Sequence, residues 1–190
     1  MFESNKDSLL NKVKKFYFKN RRLPTYREMS KLFKLSSTST IAYNVNKWID
    51  AGIFVLEGKS LVPTRKFFAI PLLGSIKAGS PDDAVEHFDS YAFQEFTFSD
   101  PENSYALKVS GDSMIDEGIK DGDLVILDKS KEPKSGDVVA AYIDDGWTLK
   151  YFMKNGKKVF LKAGNRKYKD IYPQRSLELG GVVVNVVRSY

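Results

Sequence analysis

Two side chains in this 190-residue chain have types and surroundings suited to nucleophilic chemistry, the hydroxyl of Ser113 and the amine of Lys150. Ser113 falls just past a Gly-Asp turn, in Val-Ser-Gly-Asp-Ser-Met, at the end of a strand expected over 106–109. A serine so placed is exposed, held by its neighbours, and backed by free backbone N–H groups. Those of Asp112 and Ser113 are the candidate donors to an oxyanion. A hydroxyl attacks slowly until a base removes its proton. The chain's one histidine, His87, stands in a polar segment between Glu86 and Asp89, and nothing marks it as that base. Lys150 lies in Trp-Thr-Leu-Lys-Tyr-Phe, an alternating strand in which apolar neighbours strip hydration from an ammonium and lower its pKa. A neutral lysine can accept a serine proton and later return it to a leaving amine. Each residue alone also has an ordinary reading, as a turn serine and as a surface lysine lying along apolar neighbours.

The bulk composition is that of a soluble globular protein, with 42% hydrophobic and 28% charged residues. No run of eighteen apolar residues can span a membrane, and Met-Phe-Glu-Ser-Asn-Lys at the N-terminus lacks an apolar export core, so a cytoplasmic protein is expected. With no cysteine there are no disulfides or thiolate metal sites, and neither a metal nor a cofactor is expected. The net charge of +6 is unevenly spread: residues 1–66 carry 14 Lys and Arg against 5 Asp and Glu, and the remainder 16 against 19. A head of +9 on a body of −3 suggests a nucleic-acid-binding segment joined to a part with another task.

The elements that must position these residues fall into two styles. Over 6–18, Leu9, Leu10, Val13, Phe16 and Tyr17 recur at helical spacing. Thr25-Tyr26-Arg27-Glu28 is a capping box that opens a short second helix with Met29, Leu32 and Phe33 on one side. Ser37 is a good N-cap for a third helix over 38–51, which buries Ile41, Val45, Trp48 and Ile49 and is ended by Gly52. Ser39, Thr40, Tyr43, Asn46, Lys47 and Asp50 fall on its opposite face. Strands at 53–56 and 60–62 flank a Glu-Gly-Lys turn. Three helices and a hairpin make a winged helix-turn-helix pattern, in which the third helix enters the major groove. Ser39, Thr40, Tyr43 and Asn46 are the candidates for base edges, and Arg21, Arg22, Arg27, Lys47 and Lys59 for phosphates.

Past a basic, proline-started stretch the texture becomes short β-branched runs at 124–127, 138–143, 159–161 and 182–187, separated by Asp-Gly, Ser-Gly-Asp and Asn-Gly turns. The expected architecture is multidomain α+β: a winged helix-turn-helix over 1–65, a hinge at 66–69, and an all-β domain over 70–190. The valine-rich strand near 181–187 suits either a core strand or one paired across a dimer axis.

Ser-Gly-Asp-Ser-Met followed by Asp-Gly-Asp resembles the nucleophile segment of the LexA/UmuD self-cleaving proteins, and Lys150 lies in the matching context for their base. Pro-Leu-Leu-Gly-Ser-Ile-Lys-Ala-Gly at 71–79 resembles the LexA cleavage region, which implies a scissile bond between Ala78 and Gly79. Ile76 would anchor that segment, and Lys77 departs from the small apolar residue often found there. The order of parts also matches along nearly the whole chain. The resemblance implies a dimeric repressor on operator DNA, with Ser37, Ser39, Thr40, Ala42 and Tyr43 at the reading positions, without the acidic residues of the best-known member. It implies self-cleavage by Ser113 and Lys150, stimulated by a RecA–single-stranded-DNA filament. A phage or mobile-element repressor with the same switch fits the same residues. A signal-peptidase-like enzyme acting in trans fits less well, because it has no use for a basic head and would need a membrane anchor.

Overall fold

A computed structural model describes residues 8–35, 37–77, 90–92, 103–143 and 146–188. The chain divides into two compact units, Met1–Ile70 with Ser90–Glu102, and Pro71–Asp89 with Asn103–Tyr190.

The first unit contains α1 (Ser8–Asn20), α2 (Tyr26–Phe33), α3 (Thr38–Asp50) and the hairpin of β1 (Phe54–Glu57) and β2 (Ser60–Pro63). Each helix turns its apolar positions inward: Val13 from α1, Met29 and Phe33 from α2, and Ile41, Val45 and Trp48 from α3 are buried together with Phe54. The capping box at Thr25 forms in both directions. The Glu28 N–H donates to Thr25 Oγ1 at 3.3 Å, and the Thr25 N–H to Glu28 Oε2 at 2.8 Å. Arg22 adds two bonds to the same carboxylate, at 2.8 and 2.6 Å, so its charge is already engaged rather than free for phosphates. Ser37 occupies the N-cap of α3, but its hydroxyl pairs with Ser39 Oγ at 2.6 Å and makes no cap bond. Gly52 follows α3 at φ +70°, and its N–H donates to Ile49 O at 2.8 Å.

Residues 65–68, which include most of the expected hinge, form a 3-10 turn, and Phe67 and Phe68 from it are buried in the helical core. Phe67 meets Tyr17 edge-on at 5.2 Å and Phe54 at the same separation. The physical reason is area: two adjacent phenyl rings gain more by burial than a solvated linker gains in freedom.

β3 (Ala69–Lys77) begins in the first unit and continues into the second; β4 (Ser90–Ala92) falls in the first. The second unit adds β5 (Ser104–Ser110), β6 (Leu124–Asp128), β7 (Val138–Ile143), β8 (Gly146–Asn155), β9 (Lys158–Lys162) and β10 (Leu177–Val187). The sheet order is β4-β3-β5-β6-β10-β7-β8-β9. It is mixed: β3 runs parallel to β5, with Ile76 opposite Val109 and Lys77 opposite Ser110, while the other described pairings are antiparallel. Alternation sends neighbouring residues into two cores. Ala140 and Leu149 join Val109, Met114 and Val125 in one; Val139, Ala141, Phe152 and Leu161 form the other. β10 pairs with β7 over 177–182 and with β6 over 182–187, tying the two halves of the sheet together.

Candidate active site

Ser113 stands on the turn that leaves β5. Gly111 opens that turn at φ +96°, a conformation a side chain resists, so glycine is needed at this point. The turn is braced from the loop before β6. The Gly111 N–H donates to Asp121 Oδ1 at 2.7 Å, and the Val109 N–H to Asp123 O at 2.7 Å. Asp123 is itself buried and held by Arg188 from the end of β10, through Nε to Oδ1 at 2.7 Å and Nη2 to Oδ2 at 2.6 Å. That guanidinium keeps the Asp123 carboxyl below its usual range. The Asp-Gly-Asp motif therefore does more than turn the chain: the Asp121 carboxylate and the Asp123 backbone carbonyl hold the serine-bearing loop, while the Asp123 carboxylate is tied to the Lys120 N–H and Arg188.

Lys150 lies in β8, opposite Val139 of β7, and is only 3% exposed; Ser113 is 4% exposed. The serine is thus buried and not exposed as its place after a turn suggested, because β8 and the residues around Met114 and Leu149 cover it. Lys150 Nζ donates to Ser113 Oγ at 2.7 Å, to Thr148 Oγ1 at 2.9 Å and to Leu149 O at 3.0 Å. Thr148 precedes Lys150 by two residues on a strand, so both side chains leave the same face. Burial lowers the Lys150 pKa from 10.5 to about 8. Among the described residues no carboxylate is hydrogen-bonded to the amine, so none of them offsets that loss of hydration by ion pairing. A narrow cleft beside the serine is lined by Val109, Met114, Val125 and Leu149, with Lys108 and Ser110 at its rim.

On the other side of the serine turn lies the loop that follows β9. Asn165 donates to Asp112 O at 2.9 Å, and the Tyr168 hydroxyl donates to Asp112 Oδ1 at 2.5 Å. The Tyr168 bond is the main reason that the Asp112 carboxyl is held below its usual range. The Tyr168 ring centroid is 5.9 Å from Lys150 Nζ. Among the described residues, the N–H groups of Asp112 and Ser113 donate to no other residue.

The structure thus brings Ser113 and Lys150 together, 37 residues apart in sequence, with Asp112 beside them. Ala78, Gly79 and His87 lie outside the described residues. β3 carries the backbone as far as Lys77, beside Ser110 of β5. Ser37, Ser39, Thr40, Tyr43, Asn46, Lys47, Arg27 and Lys59 belong to the first unit and are all exposed. Thr148, Asn165 and Tyr168 were not singled out from the sequence. Only Thr148 carried a usable signal, its two-residue spacing from Lys150 on an alternating strand. Among the described residues no group of three or more acidic or histidine side chains is placed to hold a metal, and no helix is long and apolar enough to cross a membrane.

A buried serine–lysine contact on a mixed sheet, with residues 71–184 matching the Peptidase S24-like description, puts the chain in that family of serine-type peptidases. Over nearly its full length it is similar to the LexA repressor of Carboxydothermus hydrogenoformans, 30% identical across 96% of this chain and 94% of the relative. It is 33% identical to the LexA repressor of Clostridium novyi, covering 88% of this chain and 87% of the relative. The LexA repressor of Shewanella piezotolerans is 38% identical over a shorter span, 67% of this chain and 63% of the relative. The chain belongs to the LexA-like group of the family.

Proposed function

We propose that the chain is a LexA-like transcriptional repressor that binds operator DNA as a dimer and inactivates itself by cutting its own Ala78–Gly79 bond. The observation that carries this reading is the 2.7 Å contact between Lys150 Nζ and Ser113 Oγ, both buried. With a pKa near 8, about a tenth of the Lys150 amines are neutral at pH 7. In that state the contact reverses and the Ser113 hydroxyl donates to Nζ.

As the proton passes to Lys150, Ser113 Oγ bonds to the carbonyl carbon of Ala78, whose oxygen becomes an oxyanion facing the N–H groups of Ser113 and Asp112. Collapse breaks the bond to the Gly79 nitrogen, which takes the proton from Lys150 and leaves as a free amine. The Ser113–Ala78 ester is then hydrolysed: water gives a proton to Lys150, its oxygen bonds to carbon, and Ser113 regains its hydrogen. The β3 register supports the choice of bond, because the chain reaches Lys77 beside Ser110 with Ala78 next in sequence.

The basic head is the operator-binding part, a winged helix-turn-helix reading bases through Ser37, Ser39, Thr40, Tyr43 and Asn46, with Lys47, Arg27 and Lys59 on phosphates. Residues 183–187 of β10 have a described partner strand on one edge only, β6, which leaves the other edge for a twofold copy. Cutting at 78–79 would detach the head from the dimerising body, and a lone head loses the avidity of a two-half-site operator. By the family resemblance, a RecA–single-stranded-DNA filament promotes this cut without supplying catalytic groups.

Incubation of the pure protein at alkaline pH, followed by mass measurement, tests the reading. Pieces ending at Ala78 and beginning at Gly79, made at a rate independent of protein concentration, are expected. A gel shift at moderate salt should be lost with cleavage. Fragments cut elsewhere, or binding that survives the cut unchanged, would overturn it.

A further inference from the structure

The loop at 163–168 is fastened to the serine turn more thoroughly than a connection between strands requires. The Asp116 N–H donates to Gly164 O at 2.8 Å, and the Gly164 N–H to Met114 Sδ at 3.3 Å. Asn165, only 6% exposed, sends Nδ2 to Asp112 O at 2.9 Å and to Asp112 Oδ2 at 3.2 Å. Its Oδ1 accepts from the Lys167 N–H at 3.0 Å. A backbone N–H can only donate, so that contact fixes which end of the amide faces Asp112.

The carbonyl of Asp112 and the N–H of Ser113 belong to one peptide group. In a planar trans peptide these two point in opposite directions. The Asp112 carbonyl also accepts from the Ile115 N–H within the turn, at the longer distance of 3.2 Å. With that bond, Asn165 holds the carbonyl toward 163–168 and the Ser113 N–H away from that loop, where among the described residues no acceptor takes it. The Asp112 N–H is less free, since it contributes to lowering the pKa of its own side chain.

We propose that Asn165 is a positioning residue for the self-cleavage reaction, aiming the Ser113 N–H at the oxyanion by anchoring the peptide that carries it. Its side-chain hydrogen bonds go to Asp112 and to the Lys167 N–H, and among the described residues none goes to Ser113 Oγ or Lys150, so it acts through Asp112 and the 112–113 peptide. The inference rests on the serine–lysine reading above and adds to it a part that sequence spacing does not reveal.

The full-length protein is assayed for fragment release across roughly pH 6 to 11, comparing wild type with Asn165→Ala and Asn165→Asp. Asn165→Ala should lower the plateau rate on the order of 10- to 100-fold, somewhat less than deleting an oxyanion donor outright, and leave the pH midpoint in place. The near-isosteric Asn165→Asp keeps the acceptor for Lys167 and removes the donor. It should lower the plateau at least as far, with the midpoint moving up because a negative charge has been added. It also decides the matter if Asn165→Ala does not fold. A wild-type plateau in Asn165→Asp, or an Asn165→Ala loss that is wholly a midpoint shift, overturns the inference. Ser113→Ala runs alongside: fragments appearing from it at the wild-type rate sink the serine–lysine reading itself, whereas a Ser113-dependent cut indifferent to Asn165 sinks this inference alone.

Discussion

Lys14 in the first unit and Lys150 in the second both have pKa values lowered from 10.5 to about 8, and burial is the cause in each. Their partners differ. Lys14 Nζ, on α1, donates to Ala69 O at 3.4 Å and lies 5.8 Å from the centre of the Phe67 ring. A carbonyl and a ring face accept from an ammonium but have no proton to give it. Lys150 meets the hydroxyl of Ser113, which accepts from the charged amine and donates to the neutral one. A lowered pKa is therefore common to both amines, and what sets Lys150 apart is a neighbouring hydroxyl with a proton to give, on which its proposed role as a base rests.

The largest expected effect tests that contrast directly. Ser113→Ala and Lys150→Ala should each slow self-cleavage by on the order of a thousandfold or more, because neither member of an activated pair works alone. Lys14→Met should leave the rate within about twofold while perturbing the same kind of group. Fragment masses from the three variants decide it, and loss of cleavage in Lys14→Met would erase the distinction.

Stability should show what the buried amine costs. The folded pKa of Lys150 lies below its unfolded value, so between about pH 8 and 10.5 the unfolded chain holds more protons and stability rises with pH. Below that window the native state carries the full penalty, on the order of 3 kcal/mol. Lys150→Met should therefore raise the melting temperature at pH 7, with the gain shrinking as pH climbs through the window. Thermal melts of variant and wild type at several pH values check this, and subtracting the wild-type curve cancels the parallel contribution of Lys14.

Thr148 supplies a smaller effect. Thr148→Val removes an acceptor that favours charged Lys150, so the cleavage midpoint should move to lower pH. The plateau should fall by about tenfold as the amine loses a fixed partner, a change of about 1.4 kcal/mol. Thr148→Ser should restore both, and a pH–rate profile separates the two changes. Smallest for the reaction is Thr25→Ala, which breaks the capping box of the first unit. It should cost that unit about 1 kcal/mol and leave cleavage unchanged.

Periodic and local features were legible from the sequence. Val13, Ile41, Val45 and Trp48 are buried where helical spacing put them, Thr25 caps as its spacing to Glu28 requires, and the second unit is built of strands. Ser113 and Lys150 could be named as a pair only through the family resemblance, because their contact spans two strands and 37 residues. What stayed hidden depends on packing between distant segments. Phe67 and Phe68 looked like a linker because nothing local shows that a core waits for them. Arg22 looked free for phosphate until Glu28 was seen to hold it. Ser37 looked like a cap, yet a competing hydroxyl two residues on takes its bond. Asn165 and Tyr168 follow a strand by a few residues, and no spacing rule ties them to Asp112, more than fifty positions earlier.

The rate of Ala78–Gly79 cleavage in the wild-type protein as a function of pH bears most directly on the central claim, that a neutral Lys150 takes the Ser113 proton. A neutral Lys150 as base requires a rise of about tenfold per pH unit that levels off with a midpoint near 8. A rate that is flat across that range, or that keeps climbing past 10.5 as an ordinary solvated lysine would require, contradicts it.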